Sequence, residues 1–140
     1  MNKQVYKALA AIGLLALLAV PVVQAQSGML VANIPFDFHV GKTSLPSGEY
    51  NIKPLTPETL LIQSKDGSSS AVSITFGATS SKIQDTGKLV FNRYGDQYFL
   101  SKVWRPGVST GRELPKSRSE VEMARNMPKP ETTVVAANTP

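Results

Sequence analysis

His39 is the only histidine of the chain, and Asp37 stands two residues before it in the stretch Phe36-Asp37-Phe38-His39. An imidazole backed by a carboxylate is two thirds of a hydrolytic triad; what it lacks is a nucleophile within hydrogen-bond reach. The spacing argues against that chemistry. On one face of a strand, residues i and i+2 stand roughly 7 Å apart, too far for acid and base to bond without distortion. No Gly-x-Ser-x-Gly elbow presents a serine. The chain has no cysteine, which excludes thiol catalysis and cysteine-based metal sites. One histidine is too few for a zinc site, which takes three or four ligands. His39 therefore reads as a solvent-facing strand residue, and no catalytic residue, metal or cofactor is expected.

Other chemistry-bearing patterns fail in the same way. Gly41-Lys42-Thr43 keeps the last letters of a phosphate loop but lacks the earlier glycine, and Lys65-Asp66-Gly67 has one acid where a calcium loop needs several. Glu120 and Glu122 are two apart on an expected helix, which points them to different sides and suits them to its cap and dipole. The aromatic residues are the remaining candidates. Tyr94, Tyr98 and Trp104, with Arg105 beside them, fall on or near one expected hairpin. Exposed together, they would form a platform for the apolar faces of sugar rings. The competing reading puts Trp104 in the core, where a lone tryptophan of a small domain usually anchors packing.

The elements that position these residues are strands. Ala32, Ile34, Phe36, Phe38 and Val40 alternate with Asn33, Pro35, Asp37 and His39, the period of a strand with one buried face. Pro35 cannot donate to a ladder, so this strand is expected at an edge or bulged. Gly41 to Ser44 reads as a loop, and Leu45-Pro46-Ser47-Gly48 as a turn. Further strands are expected at Glu49–Lys53, at Thr59–Gln63, and around Val72, Ile74 and Phe76. Leu89–Tyr94 and Gln97–Trp104 flank Gly95-Asp96, the signature of a tight hairpin. On its second strand Tyr98, Leu100 and Trp104 are expected to share one face, with Phe99 and Val103 on the other. Ser117 with Glu120 makes one capping box and Ser119 with Glu122 another; either starts one short helix, with Val121, Ala124 and Met127 as its apolar stripe. The fold expected is mainly β: an antiparallel β-sandwich or small barrel of about six strands with one short C-terminal helix.

The start of the chain has the three parts of a secretory signal peptide. Lys3 and Lys7 precede an uncharged apolar run from Ala8 to Val23, and Val23-Gln24-Ala25 offers small residues at the cut. The run is shorter than the roughly 20 residues of a membrane span. Residues 1–25 are thus expected to be a signal peptide, 26–127 a β-rich domain and 128–140 a disordered tail rich in proline and threonine. The location expected is secreted or periplasmic, with no membrane span after cleavage. Without Lys3 and Lys7 the 15 basic residues become 13 against 10 acidic ones, a net charge of +3. That is too small for nucleic-acid binding.

The runs VANIPFDFHVGKTSLPSGEYNI, LVFNRYGDQYFLSKVW and GRELPKSRSEVEMAR resemble a family of small exported β-rich proteins of unknown function common in acidobacterial genomes. The resemblance covers about Val31 to Arg125. It rests on turn and strand signals and implies no site residues. The function expected is an exported non-catalytic β-domain with a binding or structural role at the cell envelope. One alternative is a carbohydrate-binding module using Tyr94, Tyr98, Trp104 and Arg105, with a polysaccharide or another envelope protein as partner. Another is a self-assembling extracellular subunit, a homo-oligomer joined through the edge near Pro35 or through the tail.

Overall fold

The computed structural model describes residues 28–127 and 129–140. The expected signal peptide lies outside the described residues. Two antiparallel sheets face each other, as a sandwich rather than a closed barrel. The first contains β1 (Leu30–Ile34), β4 (Gly48–Thr56), β5 (Thr59–Ser64) and β6 (Ser70–Ile74), in the order β1-β4-β5-β6. The second has the order β11-β8-β9-β10-β7, made by β7 (Phe76–Thr79), β8 (Gly87–Tyr94), β9 (Gln97–Trp104), β10 (Thr110–Glu113) and β11 (Glu131–Ala137). A small hairpin of β2 (Phe38–Val40) and β3 (Thr43–Leu45) joins the second sheet through a parallel contact of His39 with Phe99.

Among the described residues there are eleven strands rather than about six, because two expected strands change sheets midway and three further strands form. The alternation from Ala32 to Val40 persists in burial, with Ala32, Ile34, Phe38 and Val40 all buried. The ladder nevertheless breaks at Pro35, which has no N–H to offer. The chain leaves the first sheet after Ile34 and enters the second at Phe38. The same happens at Thr75, between β6 and β7, where the buried hydroxyl and backbone N–H both donate to Glu58 O. Strands that bend from one sheet to the other form the corners of such sandwiches.

An aromatic stack fills the space between the sheets. Phe36 lies flat on Tyr98, ring centroids 3.8 Å apart, and edge-on to Phe91 at 5.0 Å. Phe38 meets both Phe91 and Tyr50 edge-on, at 5.6 and 5.1 Å. Each such pair contributes about 0.5–1.5 kcal/mol beyond the area it buries. Leu30, Ile52, Ile62, Leu89 and Leu100 complete the core around them.

Three expectations need correction, and the strand around Val72 gains a definite face. Gly41-Lys42 is a two-residue hairpin turn, with Gly41 at φ 58, so Thr43-Ser44-Leu45 is a strand and not a loop. In β9, Ser101 is an extra residue between Leu100, opposite Phe91, and Lys102, opposite Val90. That bulge reverses the parity: Leu100 and Val103 both enter the core. Val72, Ile74 and Phe76 face outward, while Ala71 and Thr75 are buried. The tail is ordered: β11 pairs with β8 over seven positions, and Ala137 is buried.

The tail is ordered because its Thr-Thr-Val-Val run suits a pleated surface and because β8 would otherwise be an open edge. Its end also closes the sandwich, since Val31 and Asn138 exchange two backbone hydrogen bonds, N···O 2.7 and 2.8 Å. Deleting residues 129–140 should therefore destabilise the domain by at least about 2 kcal/mol, given ~0.5–1.5 kcal/mol per lost hydrogen bond. A urea titration of the deleted chain checks this: the midpoint falls clearly, whereas an unchanged midpoint would mean that the strand adds nothing.

Candidate functional site

His39 lies on the outer face of the second sheet, its ring stacked on Phe99 with centroids 4.6 Å apart. The hairpin turn at Gly41-Lys42 brings Ser44 directly opposite it on β3. Ser44 Oγ is 3.0 Å from His39 Nδ1, and His39 Nε2 is 2.8 Å from Gln97 Oε1. The amide oxygen accepts from Nε2–H, which leaves Nδ1 to accept from the serine. A hydroxyl, an imidazole and an orienting group are thus in line, but the third member is a neutral amide. Asp37 takes no part; its carboxylate accepts from Ser47 N at 2.9 Å and holds the turn before β4. Spacing along the strand had separated Asp37 from His39. The partners that sequence reasoning missed, Ser44 and Gln97, come from two other strands; the Gly-x pair at Gly41 was the signal for the first.

The four residues expected to form a binding platform lie apart. Tyr94 is buried beneath the helix α1 (Arg118–Asn126) and donates its hydroxyl to Glu120 Oε2 at 3.0 Å. Tyr98 faces inward onto Phe36, with the Arg93 guanidinium 5.4 Å from its ring centroid. Trp104 is only 8% exposed and lies against β10. A Cβ on Gly111, its partner in the ladder, would stand 2.5 Å from Trp104 Cε3, so only glycine fits there. Arg105 is exposed at the rim of a small cleft. The bulge at Ser101 and the helix account for this dispersal.

Glu120 holds the helix in place. Only 3% exposed, it accepts from Tyr94 Oη and from Asn92 Nδ2, both at 3.0 Å. Its backbone N–H meanwhile donates to the N-cap Ser117, the expected capping box start. The expected apolar stripe is not the buried face, since Val121 and Met127 remain exposed. Burial first, and then the hydrogen bond to Glu120 and its charge, push the Tyr94 phenol up to about 12.

Two open clefts, each of about 490 Å³, lie on the first sheet's side. One runs beside the β5–β6 turn and is lined by Glu49, Lys65, Asp66 and Ser68. Asp66 is held down to about 2 by hydrogen bonds from Ser68 N, Ser68 Oγ and Ser64 Oγ, so its lone pairs serve the turn. The other is bordered by Thr56, Glu58, Ile74 and Phe76. Its apolar wall belongs to the outward stripe of Val72, Ile74 and Phe76, which are 59%, 58% and 57% exposed. This stripe lies on β6 and β7, each the last strand of its sheet. Among the described residues no helix is long and apolar enough to cross a membrane. Compared with known proteins, the chain matches no family model, no curated protein and no solved structure.

A raised phenol stabilises the fold below its ordinary value near 10 and loses that contribution as pH rises through about 12. Tyr94 should therefore ionise near 12, with loss of the helix signal in step. Glu120→Gln should lower that midpoint without restoring the ordinary value, because burial remains. Ring resonances of Tyr94 followed against pH check this; a midpoint near 10 in the unaltered protein would refute it.

Proposed function

We propose that the protein is an exported, non-catalytic β-domain with a structural role at the cell envelope, where it assembles with copies of itself along β6 and β7. The observation that carries this reading is the outward apolar stripe on two terminal strands. Such edges are normally guarded by charges, especially lysine. Here no charged residue stands between Asp66 and Lys82. Elsewhere the surface carries charges of both signs, which lose hydration where two copies meet. The uncharged edge is where they meet without that cost. A pair of β6 strands related by a twofold axis runs antiparallel and is self-complementary; centred on Ile74, it places that residue against its own counterpart. Of the other expected joints, the tail pairs with β8 and bridges to Val31 within the domain. The signal-peptide pattern at the start of the chain supports export.

The test is sedimentation from micromolar to millimolar concentration, with mass spectrometry of the exported product. The expected result is a chain beginning at Gln26 whose mass in solution rises with concentration. Ile74→Lys should weaken association by at least about tenfold, because like charges placed opposite each other across paired strands repel. Thermal unfolding of the variant should be unchanged, since the side chain is exposed. A protein that stays strictly monomeric at millimolar concentration would defeat the assembly reading.

A further inference from the structure

At one end of the sandwich, between the sheets, lies a cleft of about 40 Å³ whose floor is Leu30, Ile52, Leu60 and Val103. Its rim carries two arginines, Arg105 and Arg112. Arg112 comes from β10 and is held in place: its Nη1 donates to Thr56 O and Thr59 O, both at 3.1 Å. Arg105 follows β9. Burial and the neighbouring Arg105 charge both push the Arg112 guanidinium below its usual range, so the two positive groups feel each other.

Arg112 is half-buried with the exposed Arg105 beside it, and a half-buried positive group near another normally has a carboxylate to offset it. This pair has none. Among the described residues, carboxylates lie within 4.0 Å of Lys65, Arg93 and Arg118, but not of Arg105 or Arg112. All ten acidic residues of the chain fall within the described part, and residues 1–27 contain none. The sequence therefore supplies no missing acid. The remaining guanidinium donors form a fork suited to the two oxygens of an oxyanion, above a floor that is wholly apolar.

We infer that this cleft is a binding site for a small carboxylate carried on a short apolar chain, with the anion between Arg105 and Arg112 and the alkyl end on Leu30, Ile52, Leu60 and Val103. The size sets the chain length. In the same measure one water takes about 10–15 Å³, so the cleft of about 40 Å³ admits roughly three groups of that size, a propyl end. The site is independent of the strand pairing proposed above. Gly28 closes one wall, where a Cβ would come within 3.1 Å of Pro54 Cγ and 3.8 Å of Arg105 Cζ.

The experiment is methyl and arginine side-chain NMR of the protein titrated with acetate, butyrate, octanoate, inorganic phosphate, butanol and butylamine. Butyrate should shift the methyls of Leu30, Ile52, Leu60 and Val103 saturably, and more tightly than acetate. Octanoate should gain no more than about twofold over butyrate, because the cleft is filled; continued gain with length would replace the short-acid reading with a long-chain lipid. Added salt should weaken the interaction. Arg105→Gln, at an exposed position, should weaken butyrate about tenfold, the loss of one charge-assisted hydrogen-bonding group, while leaving the remaining spectrum in place. Equal binding of butanol or butylamine would overturn the proposal, as would phosphate matching butyrate or an Arg105→Gln variant with undiminished affinity. The ligand comparison on the unaltered protein decides the matter even if that variant folds poorly.

Discussion

The structure depends on the contact of Phe36 and Phe38 with Phe91. These two side chains belong to the short segment in which the chain leaves one sheet and enters the other, and they point the same way because they are two residues apart. Phe91, on the central strand β8, receives both edge-on. Tyr98 and Tyr50 extend the stack to either side. The polar surroundings follow. The Tyr50 hydroxyl reaches back to Pro46 O at 2.6 Å and fixes the turn into β4, while Asp37 fixes the same turn from outside. With no cysteine to cross-link it, the domain is held together by this stack and by backbone pairing.

Much of this arrangement was legible in the residues because it is local. The β8–β9 hairpin was visible from Gly95-Asp96, and Gly95 indeed has φ 65. Strand β4 followed from alternation and β5 from a short apolar run, and one of the two capping boxes, that at Ser117, starts the helix. What stayed hidden was whatever depends on a distant partner. Alternation in Val72, Ile74 and Phe76 announces a strand but not which side of it is wet. The order of β11 depends on β8 having a free edge, which no window around residues 131–137 contains. The bulge at Ser101 arises where the neighbour of β9 changes from β2 to β10, and one extra residue was enough to scatter the expected aromatic platform.

The candidate sites divide along the same line. His39 was expected to face solvent, yet it is half-buried, and its partners, Ser44 and Gln97, lie five and fifty-eight residues away. Arg105 was noticed for its company with Trp104, but its structural company is Arg112 across the β9–β10 connection. Charge is distributed with similar unevenness over the molecule. Acids are spent on turns and on the helix, as with Asp37, Asp66 and Glu120, which leaves the cleft mouth uniformly positive and the β6–β7 margin neutral.

The bridge between Val31 and Asn138 stitches the beginning of the domain to its end. A fold closed in this way has its longest-range contact at its seam, and such contacts are slow to find. While the chain is still being made, β8 has no outer neighbour and β1 no companion at its far margin. The native sandwich is therefore completed only once residues 131–138 are available to pair, and until then the margins of both sheets stay open.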